Sequence, residues 1–203
     1  MDINSAIIEG TKILKDKFIR SPYLDSEILL AKAINKSRKF ILLNPKKNLE
    51  QSNLNYFRKL ISKRSRREPV AQIVKKKFFW NSEFIISKGT LIPRPDTELI
   101  VYNALKLTLN KNKLSILDIG IGSGCILLSI LKERRGYYGT GIDISKKCLN
   151  ISKLNAIKLK VNSRLKLFKS NVDKFLIGKY DLIVSNPPYI NKLNIKYLEK
   201  DVA

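Results

Sequence analysis

The chain has 203 residues, enough for one large domain or a small domain with part of a second. It contains no histidine, and its two cysteines, Cys125 and Cys148, lack metal-type spacing, which excludes an imidazole base and a zinc site and leaves the thiols as small buried apolar groups of a reducing cytosol. The 40 basic and 17 acidic residues give a net charge of +23, with 20 basic and 8 acidic residues before Leu91 and 20 and 9 from there on, so the excess is spread along the chain and reads as compositional bias more than as one nucleic-acid-binding stripe.

Residues 1–75 carry apolar residues at helical spacing and no strand signal. Ile3, Ile7, Leu14 and Phe18 share one predicted face, Leu24, Ile28 and Ala31 a second, and Leu54, Phe57 and Ile61 a third, with turns at Ser21-Pro22 and Asn44-Pro45. A small helical domain is expected, suited to substrate recognition. Two basic clusters, Lys63-Arg64-Ser65-Arg66-Arg67 and Lys75-Lys76-Lys77, read as a solvated helix end and turn, with ribosomal RNA or an acidic protein as the alternative partner. Phe78-Phe79-Trp80 and Phe84-Ile85-Ile86, separated by residues 81–83, predict a hairpin, so that residues 76–92 form a linker and hinge. Pro93 to Pro95 resists helix and sheet, and Asp96 or Thr97 can cap a helix running to Leu109. Strands at 115–119, 138–142, 165–168 and 180–185 then alternate with helices at 124–133 and 146–157. The expected fold is α/β: a Rossmann-like, doubly wound parallel sheet over residues 93–203, preceded by the helical bundle and the hairpin.

Chemistry concentrates at three strand ends. The strand Leu114-Ser115-Ile116-Leu117-Asp118-Ile119 runs into Gly120-Ile121-Gly122-Ser123-Gly124, a turn that lets a ligand approach the backbone, and the helix after it offers N–H donors. The alternating glycines differ from the dinucleotide pattern G-x-G-x-x-G, and Asp118 beside the loop would repel a pyrophosphate but suits a cationic amino acid group. Asp143 ends the next strand, where a carboxylate can accept both hydroxyls of a ribose. Together these point to S-adenosylmethionine. After the last strand stands Asn186-Pro187-Pro188-Tyr189, in which two prolines fix φ and free the carbonyls of Asn186 and Pro187 to act, with Asn186 Oδ1, as acceptors for a planar NH2, while Tyr189 can stack on that flat group. Asn186, Pro187 and Tyr189 are the catalytic candidates, and Asn186, Pro187, Pro188 and Tyr189 the substrate-binding set.

The sequence closely resembles the peptide-chain release factor glutamine N5-methyltransferases of bacterial type. The resemblance runs from Asp25-Ser26-Glu27-Ile28-Leu29-Leu30-Ala31 to Asp201-Val202, and its most specific elements are Arg67-Glu68-Pro69-Val70-Ala71-Gln72, Leu91-Ile92-Pro93-Arg94-Pro95-Asp96-Thr97-Glu98, the glycine loop and Asn186 to Tyr189. It implies methyl transfer from S-adenosylmethionine to the glutamine amide of the Gly-Gly-Gln motif in translation release factors, by a monomer when complete. The acid in Met1-Asp2-Ile3-Asn4 and a charge within every short apolar run read as no signal peptide or membrane span, so a cytoplasmic location without a membrane partner is expected. Cofactor contacts carry over to Gly120, Ile121, Gly122, Ser123, Gly124, Asp143 and Asn186. Where the family shows a Ser-Asp-Trp-like turn beside the adenine, this chain has Ser170-Asn171-Val172, so Asn171 and Val172 take that place with less charge and a smaller cover. An amino-methyltransferase acting on adenine or guanine in nucleic acid is the alternative, since an exocyclic NH2 presents the same donors. A doubly wound sheet also needs strands beyond Ser185 that residues 190–203 are too few to supply, which reads as a fragment, a truncated reading frame or a decayed, inactive remnant.

Overall fold

A computed structural model of the chain describes residues 1–187, which form two compact units, Met1–Val74 and the residues from Lys75 onward. No helix among them is long and apolar enough to cross a membrane.

The first unit is helical: α1 (Ile3–Lys15), α2 (Pro22–Ala33), α3 (Arg38–Leu43), α4 (Gln51–Ser65) and α5 (Val70–Val74). Ile3, Ile7 and Leu14 of α1 meet Leu29 and Leu30 of α2 and Phe57 and Ile61 of α4 in one core. The helices approach closely where α1 carries Gly10, because a Cβ there would stand 2.7 Å from Phe57 Cζ. Two expected core positions fall outside. Phe18 lies beyond the end of α1 with φ 55° and is 84% exposed, since the chain has already turned. Leu24 is exposed while Asp25 and Glu27 are buried, so the inward face of α2 is partly acidic, which apolar periodicity does not register. Each acid faces an arginine at 2.7 Å, Asp25 with Arg64 and Glu27 with Arg38. Arg64, counted in a basic surface run, is thus an internal counter-ion.

The second unit begins with an antiparallel hairpin, β1 (Lys76–Phe79) and β2 (Ser82–Ile85). Its turn is Trp80-Asn81 and not residues 81–83, because Trp80 takes a left-handed φ of 44° and its N–H donates to Glu98 Oε1 at 2.7 Å. Phe79, Phe84 and Ile86 lie in the core of this unit, so the segment expected to act as a hinge is packed with the sheet. A short 3-10 turn at Pro95–Thr97 leads into α6 (Glu98–Leu107). Neither proposed cap acts as one: Thr97 makes no capping bond, its hydroxyl being engaged elsewhere, and Asp96 sits inside the 3-10 turn.

Four parallel strands follow, β3 (Leu114–Ile119), β4 (Tyr137–Asp143), β5 (Leu165–Lys169) and β6 (Leu182–Ser185), in the order β5-β4-β3-β6. Helices α7 (Cys125–Glu133) and α8 (Lys146–Lys158) connect the first three. The expected start of the last strand at Tyr180 shifts to Leu182, and Asp181 instead ties the strand entrance to Ser115 through its backbone N–H and its carboxylate. The last turn of α7 leaves orphan carbonyls, and Arg164 donates to Leu131 O, Arg134 O and Tyr137 O.

Candidate active site

Strand register builds the site. Ile119 of β3 stands opposite Ile142 of β4 on one side and Ser185 of β6 on the other. The residues that come next, Gly120, Asp143 and Asn186, are therefore level along the carboxyl edge of the sheet. The chain leaves β3 for β4 on one side and returns to β6 on the other, so this row sits at the switch point where open α/β sheets bind ligands.

At the centre of the row the glycine loop begins over the end of β4, where Gly120 N and Ile121 N both donate to Ile142 O. Gly122 has φ 56°, and its N–H donates to Asp143 Oδ2 at 3.0 Å. The other oxygen, Asp143 Oδ1, accepts from Ser145 N at 2.8 Å. Each oxygen of Asp143, the residue expected to accept ribose hydroxyls, thus also holds a backbone N–H and keeps one further lone pair. Ile121 turns its side chain into the core, as a Cβ on Gly141 would come 2.2 Å from Ile121 Cδ1. Only its backbone is placed to face a ligand.

Beneath the loop lies Asp118, 1% exposed. Burial pushes its carboxyl up to about 7, Asp143 adds to the effect, and a hydrogen bond from the Leu127 backbone opposes it. Asp118 Oδ2 and Ser123 Oγ are both buried without a partner. Orphaned polar atoms of this kind cost free energy unless something pairs with them. A carboxylate and a hydroxyl beneath a glycine turn, beside a strand-end acid, fit a ligand that brings a cationic amino group and a ribose.

On the far side of β3, Ser185 Oγ donates to Ile119 O at 2.9 Å and locks the end of β6. Asn186 is half-buried, and its Nδ2 donates to Thr97 Oγ1 at 3.2 Å. That leaves Oδ1 for another donor. Pro187 is exposed, while Pro188 and Tyr189 lie outside the described residues. Toward the sheet edge, Asn171 precedes a short turn (Val172–Lys174), donates from Nδ2 to Asp173 Oδ2 at 3.1 Å, and stands beside a Val172 that is 48% exposed.

Thr97 did not emerge from the sequence as a site residue, although it belongs to Leu91–Glu98, one of the most specific elements of the family resemblance. Ser152 and Asn155 of α8 were missed as well. Both are buried, and both hydrogen-bond to carbonyls of the glycine loop. Polar residues three apart on the inner face of a weakly amphipathic helix were the available signal.

Comparison with known proteins accords with this geometry. The methyltransferase small domain family matches residues 97–200, and the PrmC N-terminal domain family matches residues 5–74. A release factor glutamine methyltransferase of Buchnera aphidicola subsp. Acyrthosiphon pisum is 37% identical over 94% of this chain and 68% of its own length. This chain belongs to the release factor glutamine methyltransferase family. A second member, from Buchnera aphidicola subsp. Schizaphis graminum, is 37% identical over the whole of this chain and 72% of its own length, and one from Caulobacter vibrioides is 38% identical over 93% and 66%. The chain thus spans about two thirds of the length of these relatives. The family is S-adenosylmethionine-dependent.

Proposed function

We propose that this protein methylates the side-chain amide nitrogen of the glutamine in the Gly-Gly-Gln motif of translation release factors. The observation that carries the reading is the level row of Gly120, Asp143 and Asn186 along the carboxyl edge of the sheet, with Thr97 holding Asn186. Gly120 to Gly124, Asp118, Asp143, the turn at Asn171-Val172 and Asn186, which also meets the substrate, are the residues that would hold S-adenosylmethionine. When bound, that cofactor supplies an electrophilic methyl group.

The chain's own residues act on the acceptor. An amide is a weak nucleophile because its lone pair is delocalised into the carbonyl. Asn186 Oδ1 can accept one N–H of the substrate amide, and the Pro187 carbonyl is the sequence's candidate for the other. Holding both hydrogens in one plane fixes the direction of the nitrogen lone pair, an orientational gain that requires no strong base. The proton is lost once the nitrogen has become acidic, so the lack of histidine is no obstacle. Tyr189 is proposed to stack on the planar amide. The release factor is the protein partner, and the exposed Lys63 and Arg66 of the first unit, or separately the exposed Lys75 and Lys76 of the second, are the proposed places for any ribosomal RNA contact.

The test is mass spectrometry of a release factor after incubation with the protein and S-adenosylmethionine. Asn186→Ala should lower turnover by about 100-fold, far more than it lowers cofactor affinity, the pattern of an interaction made with the reacting group. Methyl groups on adenine or guanine of nucleic acid, and none on the glutamine, would replace this reading with the nucleic-acid one.

A further inference from the structure

Helix α8 buries only four residues, Cys148, Ser152, Asn155 and Ala156, and two of them are polar. Ser152 and Asn155 are both fully buried, a costly placement unless their hydrogen bonds are met. Those bonds go to two other segments of the unit. Ser152 Oγ donates to Gly122 O at 2.8 Å. Asn155 Nδ2 donates to Ser123 O at 2.8 Å and to Ile85 O at 3.1 Å, while its Oδ1 accepts from Ile85 N at 2.7 Å.

The consequence for the loop follows from the planar trans peptide, in which C=O and N–H point in opposite directions. With the Gly122 and Ser123 carbonyls drawn to α8, the N–H groups of Ser123 and Gly124 are turned away from it. Gly124 N closes the turn on Ile121 O at 2.8 Å, and the Ser123 N–H is presented on the opposite face. An apolar pair at 152 and 155 could pack the helix equally well but could not select this orientation.

We propose that Ser152 and Asn155 are positioning residues for the cofactor loop, and that Asn155 couples this loop to strand β2 of the hairpin. The inference rests on the cofactor reading given above. Because one amide grips both segments, ordering of the loop by a ligand tightens the hold on Ile85, and by linkage disturbance of the hairpin weakens the ligand.

The experiment uses the full chain with S-adenosylhomocysteine as probe, read by amide hydrogen exchange, calorimetry and steady-state kinetics. Saturating probe should slow exchange of the Ile85 amide together with that of Ser123. Ser152→Ala should weaken the probe by about 2–10-fold, the range for one lost neutral hydrogen bond, with the rise appearing in the cofactor KM and kcat at saturation staying within about twofold. Probe binding that protects Ser123 but leaves Ile85 unchanged would overturn the coupling, and unaltered affinity in Ser152→Ala would overturn the positioning role. A wild-type chain that binds no probe at all would overturn the cofactor reading, and the inference with it.

Discussion

The two units bury charge in opposite ways. In the helical unit Asp25 and Glu27 are sequestered only with an arginine at 2.7 Å, so each buried charge is neutralised by its own neighbours. In the sheet unit Asp118 is buried just as deeply, yet among the described residues no cation offsets its charge, and burial pushes its carboxyl up to about 7. A buried acid matched by its own arginine needs nothing from outside to offset its charge, even where one oxygen, as at Glu27 Oε1, accepts no hydrogen bond. An unanswered carboxylate marks a place where the fold gives up stability to keep a valence open, as binding sites do.

The largest effect that could break this contrast belongs to the helical unit. Arg64→Ala leaves Asp25 buried without its counter-ion and should cost about 3–5 kcal/mol, measured by urea unfolding followed through helix content. Replacing both partners with apolar residues should recover most of that loss. A mild Arg64→Ala phenotype would mean that the pair is better hydrated than its burial implies.

Asp118→Asn should do the reverse and stabilise the chain. The folded state keeps a proton on Asp118 up to about 7, while the unfolded state releases it near the ordinary value of 3.8. The unfolded chain therefore binds fewer protons between these values, and the wild type loses stability through this group as pH rises across that window, levelling above it. The advantage of Asp118→Asn should grow over the same interval to about 2–4 kcal/mol. Parallel unfolding curves for the two proteins at pH 4.5 and pH 8, taken as roughly the ends of that window, would remove the basis of the comparison.

Asp143→Ala follows in size. It deprives Gly122 N and Ser145 N of a charged acceptor, so about 1.5–3 kcal/mol of stability should go with the weakened binding of S-adenosylhomocysteine. Retained stability with lost binding would restrict Asp143 to the ligand. The smallest expected effect is shared. Ser37 and Ser145 cap α3 and α8 by accepting from Phe40 N and Cys148 N, and changing either to Ala should cost about 1 kcal/mol, showing that local helix rules are common to both units.

Legibility in the sequence follows the range of the interaction. Strands β3, β4 and β5 were placed to within a residue at each end because buried parallel strands are short apolar runs, and Gly120, Asp143 and Asn186 were picked out because each follows such a run. Residues with a long-range polar role were not. Thr97 reads as a helix cap and Asn155 as an ordinary helix residue until the fold brings residues 186, 85 and 123 to them. The left-handed turn at Trp80 was missed because an aromatic residue seldom adopts it, and here a carboxylate from Glu98 receives its N–H.

Trp80 has a further consequence, for spectroscopy. It is the one tryptophan of the chain, and its indole N–H donates to Glu133 Oε1 at 2.9 Å. Tryptophan emission therefore reports on the hairpin turn, the end of α7 and the core they share, while the five helices before Lys75 hold no tryptophan and contribute heavily to circular dichroism. Emission and dichroism that melt together would make the two units one cooperative block, and traces that separate would time the loss of each without any introduced label.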